Sequence, residues 1–207
     1  MDAQIRTESE LREILGEPHP RIRDKDRDRL DDVHRIFIES SPFCLVATSG
    51  ADGSCDVSPK GDPAGQLAVV LDERRLALAE RPGNRRADGF VNLLANPHIG
   101  LIFIIPGRGD TLRVNGRARL LRAAPYSDLL EVKGHRPQII CEVEVEQVFF
   151  HCSKAFLRSE LWDPRSWDPQ SIPSRAHIAH ASERSDQPLD DVIAHYESPS
   201  YATGLYA

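Results

Sequence analysis

No apolar run in this sequence is long enough to cross a bilayer. The longest, Ile99 to Pro106, falls far short of the roughly 20 residues a membrane helix needs, and the N-terminus carries charge where a secretion leader needs an apolar stretch. These two absences predict a cytoplasmic protein without a membrane partner. Cysteine is sparse: Cys44, Cys55, Cys141 and Cys152 stand singly, without the CxxC spacing of a zinc site or the density of a disulfide scaffold, so they are read as free thiols. Basic charge is not in excess, because 26 Lys and Arg face 32 Asp and Glu, and the net charge of −6 excludes a broad nucleic-acid-binding field while allowing a local cationic pocket. Also missing are the phosphate loop GxxxxGK, the dinucleotide fingerprint GxGxxG, the GxSxG elbow and HExxH. His177 and His180 read as solvated tail residues, so neither a metal site nor a catalytic side-chain set is expected.

What is present is a succession of short extended segments. Residues 7–37 are polar and charge-alternating, with Leu30, Val33 and Phe37 at helical spacing, which predicts helix packed on a body. Phe43 to Thr48 and Ser54 to Pro59 flank the turn residues 50–53 as a hairpin. Further strands are predicted at 67–71, 76–79, 98–104, 111–121 and 139–149, a helix at 85–94 capped by Asn84, and a short helical piece at 126–132. About seven strands and few helices favour a mainly β protein, a closed or nearly closed antiparallel barrel with peripheral helices. The expected division is an N-terminal helical extension (1–36), a barrel domain (37–164) and a C-terminal tail (165–207). That tail, rich in Pro, Ser and His, is too polar to build its own core and is expected to lie on the barrel or a partner, with Val192, Ile193 and Tyr196 as its anchor.

Four groups of residues stand out chemically. In Asp56-Val57-Ser58-Pro59-Lys60-Gly61, strand alternation turns Asp56, Ser58 and Lys60 to one side, where a hydroxyl and an ammonium suit a phosphate or an electron-rich ring edge. An exposed strand end is the plainer explanation, and on the motif alone it is preferred. Gly83-Asn84-Arg85-Arg86 puts two guanidinium groups at a helix start, where cations oppose the macrodipole unless an anion sits among them. A pair of solvated arginines explains the motif equally well. Along residues 111–120, Thr111, Arg113, Asn115, Arg117 and Arg119 share one face; solvent accounts for Arg117 and Arg119, and Arg113 is the better ligand candidate. Finally Lys154, Arg158 and Trp162, four apart, share one face if the segment is helical, which suits an aromatic or anionic ligand, although an ordinary interface is the preferred explanation.

Taken in order, residues 56–62, 81–86, Asn96-Pro97, 112–116 and 151–162 resemble the FMN-binding split barrels of the pyridoxamine 5'-phosphate oxidase-like superfamily, over roughly residues 37–164. The resemblance implies an FMN-dependent oxidoreductase acting on a small molecule. It implies that Val57, Ser58, Pro59 and Lys60 line the flavin, with backbone contacts from Ala79 and Glu80. Asn84, Arg85 and Arg86 would hold the phosphate. Thr111 and Arg113 would reach the ring from a neighbouring strand, commonly of the second subunit, which implies a homodimer with flavin at its interface. Lys154, Arg158 and Trp162 would cover the flavin. In that reading the cofactor accepts a hydride, Lys60 or Arg113 stabilises charge on the reduced ring, and no side-chain base is needed. The Tyr/Arg/Ser set and the C-terminal Arg-x-His motif that hold the oxidase's own substrate are not recognised, so pyridoxamine phosphate oxidation is not implied. A non-catalytic flavin- or haem-binding protein is the alternative from another class; some relatives use a deazaflavin, but the phosphate site at 84–86 favours FMN.

Overall fold

The computed structural model describes residues 4–206. The elements, in chain order, are α1 (Glu8–Leu15), α2 (Pro20–Arg23), α3 (Asp32–Ser40), β1 (Phe43–Ser49), β2 (Cys55–Gly61), β3 (Ala68–Asp72), β4 (Arg75–Ala79), α4 (Asp88–Ala95), β5 (His98–Ile104), β6 (Thr111–Leu121), β7 (Ile140–His151), α5 (Lys154–Ser159), α6 (Arg175–Ser182), α7 (Leu189–Glu197) and α8 (Pro199–Thr203). A 3-10 turn at Ser127–Leu130 stands where a helical piece was expected.

The seven strands form one antiparallel sheet in the order β2-β1-β5-β6-β7-β4-β3, curled as an open, split barrel. Its inner face carries the main core, including Cys44, Leu101, Phe103, Leu112, Val114, Val143 and Val145. α3 adds Phe37 and Ile38 to that core, and α4 adds Leu93. Pro59 is tolerated because β2 is an edge strand, where a missing amide proton leaves no ladder bond unmade. The β6–β7 pairing slips at Asn115/Gly116, and a Cβ on Gly116 would stand 2.0 Å from the Glu144 carbonyl oxygen. Only glycine lets the strands approach so closely there.

Register defines the outer face of the first half of the sheet. One row runs Val57, Ala47, Gly100, Asn115, Gln147; the next runs Pro59, Leu45, Ile102, Arg113, Phe149; Phe43 and Ile104 continue it. Most of this surface is apolar, and Val57 is 61% exposed.

Residues 7–40 hold three short helices rather than one long one. Between them the chain runs against the barrel, with Arg27 bridging to Val148 and the Leu30 amide donating to the Glu73 carbonyl. The tail corrects the expectation that it builds no core: Ala176, Ala179 and Val192 are buried together between α6 and α7, with Ile193 and Tyr196 packed on them. All four cysteines are free; Cys44 and Cys141 are buried, Cys55 and Cys152 exposed. Among the described residues no helix is long and apolar enough to cross a membrane, and no group of His, Cys, Asp or Glu is placed to hold a metal ion.

Candidate functional site

The split in the barrel is drawn together by two adjacent ion pairs. Lys60 at the end of β2 pairs with Glu80 just beyond β4, and Arg81 Nε donates to Asp62 at 2.7 Å. The second pair is deeply buried, the Asp62 side chain being 1% and the Arg81 side chain 13% exposed. Beside the first lies a pocket of about 350 Å³, within the roughly 300–1,000 Å³ usual for small-ligand sites. Val46 and Thr48 from β1, Asp56, Ser58 and Lys60 from β2, Glu80, the loop residues Asn84, Arg86 and Ala87, and the start of α4 line it.

Strand alternation is what selects the β2 residues. Ser58 pairs in register with Val46, on the inner side, and its hydroxyl donates to Asp56 at 2.8 Å. The Lys60 ammonium also lies 5.2 Å from the centroid of the Phe90 ring, so the pocket has an apolar wall of Val46, Phe90 and Leu93. Deeper in, burial pushes the Cys44 and Cys141 thiols up to about 12, with Lys60 partly opposing the effect on both. These thiols are inert core groups at neutral pH.

The loop leading into α4 departs from expectation. The helix begins at Asp88 and not at Arg85, its N-cap is Ala87, and no side chain caps it. Asn84 folds the loop instead, its side-chain oxygen accepting the Arg86 amide at 3.1 Å. Arg85 and Ala87 hold left-handed backbone, φ 62° and 56°, which is costly for residues with a Cβ and concentrates at binding sites. Gly89 brings the start of α4 against the strands: a Cβ there would lie 3.1 Å from an Asp56 carboxylate oxygen and 3.4 Å from the Thr48 hydroxyl.

The loop and the start of α4 supply the groups that an anion would meet. Arg86 pairs with Asp88 at 2.7 Å, whereas Arg85 is exposed and makes no ion pair among the described residues. The uncapped first turn of α4 adds backbone N–H groups and the positive end of its dipole. The carboxylates of Asp56, Glu80 and Asp88 lie in the same pocket, and Asp88 already engages the Arg86 Nε.

Of the residues expected to form a site, Ser58, Lys60, Glu80, Asn84 and Arg86 meet at this pocket, with Arg85 in the same loop. The Glu80 side chain lines the pocket while its amide donates to the Ile139 carbonyl at 2.9 Å, and Ala79 is buried in the second core cluster. Val57 and Pro59 point to the opposite side of the sheet, on the face that also carries Arg113. There the Arg113 guanidinium lies 4.9 Å from the centroid of the Phe149 ring. Thr111 is buried opposite His151 in the β6–β7 ladder. Lys154 and Arg158 lie on α5, but the helix stops at Ser159 and Glu160 turns left-handed. Trp162 therefore leaves their face, stacks on Phe156 and donates from Nε1 to the Arg108 carbonyl at 2.6 Å. None of these three lines the pocket.

Sequence reasoning missed Thr48, Asp88, Gly89 and Phe90. Thr48 alone left a signal, as a polar residue in the inward register of β1. It also overlooked a tripeptide, Arg175-Ala176-His177, which has Arg-x-His spacing. That tripeptide sits on α6, where Arg175 is paired with Glu183 at 2.8 Å and lies over Tyr196, away from the pocket.

A second pocket, of about 500 Å³, opens on the outer face beside Tyr126. Its polar groups satisfy one another: burial favours the protonated form of Glu142, but hydrogen bonds from Tyr126 and Arg119 outweigh it and hold the carboxyl below the ordinary range.

The sequence profile of the family described as pyridoxamine 5'-phosphate oxidase matches residues 30–152, more than half of the chain. No curated protein matches. Among solved structures, HupZ of Group A Streptococcus is 19% identical, covering 60% of this chain and 95% of its own, with a TM-score of 0.48. A protein related to general stress protein 26 from Clostridium acetobutylicum is 18% identical, covering 59% and 91%, with a TM-score of 0.43. An FMN-binding protein from Syntrophomonas wolfei is 9% identical, covering 56% and 82%, also at 0.43.

Proposed function

The chain belongs to the pyridoxamine 5'-phosphate oxidase family, and from that premise we propose that it binds a flavin, specifically FMN, as an oxidoreductase acting on a small molecule. The observation that carries this reading is the convergence of Ser58, Lys60, Asn84 and Arg86 on one pocket with an apolar wall. Asn84, Arg85 and Arg86 hold the phosphate, Arg86 releasing Asp88 as it does so. Ser58 and Lys60 lie along the ring, and Val46, Phe90 and Leu93 keep water from one side of it. Bound FMN would supply a two-electron acceptor for a small donor. Lys60, freed from Glu80, then places its ammonium where negative charge on the ring is stabilised. No side-chain acid or base is required of the chain.

The same reading makes the protein a homodimer. The outer face bearing Val57, Pro59, Phe43, Leu45, Ile102 and Ile104 is a contiguous apolar surface of the kind that marks an interface. Arg113 stands at its border, on the side of the sheet away from its own pocket, so it serves a flavin only across such an interface.

The test is an absorption spectrum of the purified protein, with the released ligand identified by mass, followed by titration of FMN and riboflavin. FMN is expected to bind, and Arg86→Ala to weaken FMN by about tenfold or more while leaving riboflavin nearly unchanged, since only the phosphate meets that guanidinium. A colourless protein that takes up no added FMN would overturn the proposal.

A further inference from the structure

The buried pair Asp62–Arg81 has a third partner that neither the pocket nor the flavin reading uses. Tyr206, from the far end of the chain, donates its hydroxyl to Asp62 at 2.9 Å. Its ring sits in a cage: the Arg81 guanidinium lies 5.8 Å and the Lys133 ammonium 5.7 Å from the ring centroid, and His135 stacks on it at 5.9 Å. Lys133 and His135 are presented by a tight two-residue turn, with Lys133 at φ 50° and Gly134 at φ 80°, closed by reciprocal hydrogen bonds between Val132 and His135. A lysine held left-handed is a costly way to build a turn.

The charge in this cage does not balance. Arg81 is paired with Asp62, whereas Lys133, on its exposed turn, makes no ion pair among the described residues, and the phenol brings no charge. One nitrogen of the Arg81 guanidinium, Nη1, is buried with no hydrogen-bond partner among the described residues, although a buried donor left unpaired normally costs stability. Tyr206 thus satisfies the carboxylate and fills the ring position but leaves a cationic demand unmet.

We propose that Asp62, Arg81, Lys133 and His135 form a binding site for a phenol bearing a carboxylate, in which Tyr206 is the chain's own, incomplete occupant. The ligand's hydroxyl replaces that of Tyr206 on Asp62, its ring takes the place between Arg81, Lys133 and His135, and its carboxylate supplies the missing negative charge. None of these residues lines the 350 Å³ pocket, so the site stands apart from the flavin reading. Arg81 does begin the loop that carries Asn84, Arg85 and Arg86, and occupancy therefore bears on the loop's base.

The experiment is a calorimetric titration of the full chain with 4-hydroxyphenylacetate and with phenylacetate, repeated with FMN present so that failure of the flavin reading leaves the result intact. Tyr206→Ala removes the competitor and is expected to raise affinity for 4-hydroxyphenylacetate by about tenfold or more over the unmodified chain, the scale of one hydrogen bond to a charged group. Phenylacetate, without the hydroxyl, is expected to bind this variant about tenfold more weakly, and Lys133→Gly, which suits the turn, to lower affinity for both. Should Tyr206→Ala fold poorly, Tyr206→Phe keeps the ring and loses only the hydroxyl, and it too must bind 4-hydroxyphenylacetate more tightly than the unmodified chain. Equal affinity in the unmodified chain and the folded variant, or no preference for the hydroxylated probe, overturns the proposal.

Discussion

His34 shows how a single residue couples the fold to pH. It stands third in α3, where its amide donates to Asp31 and its ring Nδ1 accepts the Asp31 amide, while the ring stacks on Phe150 at 5.3 Å. Burial lowers its pKa below the ordinary 6.5, Asp31 opposes that shift, and Arg27 adds to it. A histidine whose pKa is depressed by folding binds fewer protons native than unfolded, so it costs no stability above pH 6.5 and costs progressively more as pH falls through that value. Urea unfolding is expected to show the chain losing stability from pH 7.5 to 5.5. His34→Gln keeps a side chain able to accept the capping amide but cannot titrate, and it should flatten that loss; an unchanged slope would mean the imidazole is not buried neutral. None of this was visible in the sequence, because the cap by Asp31 and the burial of His34 against a strand more than a hundred residues away both depend on where the chain is folded.

At the scale of elements, the loop before α4 is where reading and structure diverge most. Asn84 followed by two arginines looks like a cap and a first turn, because Asn is among the best N-cap residues. The chain instead spends Asn84 on closing the loop and passes through two left-handed residues before the helix begins. Ala87→Gly is therefore expected to be neutral or to raise stability by about 1 kcal/mol in urea unfolding, since glycine meets no Cβ penalty at φ 56°. At a helical position the same change would cost about 1 kcal/mol, and a loss of that size would show that residue 87 is not left-handed in solution. The strands were far more legible. Period-two alternation set Ser58 and Lys60 on one face of β2 with Val57 on the other, and set Arg113 on the face of β6 opposite Leu112 and Val114. It could not say how those faces lie relative to one another, because that depends on which strands become neighbours.

At the scale of the molecule, the outer face of the sheet carries the proposed dimer. Val57→Asp places a charge on an exposed strand position, where the fold itself has little to lose, but a buried interface would leave that charge unpaired. Sedimentation or light scattering is expected to show a dimer that this variant shifts toward monomer, with the unfolding transition of the monomer little changed. A monomer before substitution would argue that the face stays in water and that Arg113 has no flavin to serve.

The sequence by itself determined the class of the fold, the number of strands, the free state of the thiols and which residues share a face of β2, because each follows from local periodicity, composition or spacing. The tertiary structure alone decided that the ends of β2 and β4 close on each other through Lys60–Glu80 and Asp62–Arg81, and that Thr48 and the start of α4 complete the pocket. It alone brought Tyr206 back onto Asp62. These are contacts between residues far apart in the chain, set by strand order and sheet curvature, and no local pattern of side chains encodes which distant partner will fill a given space.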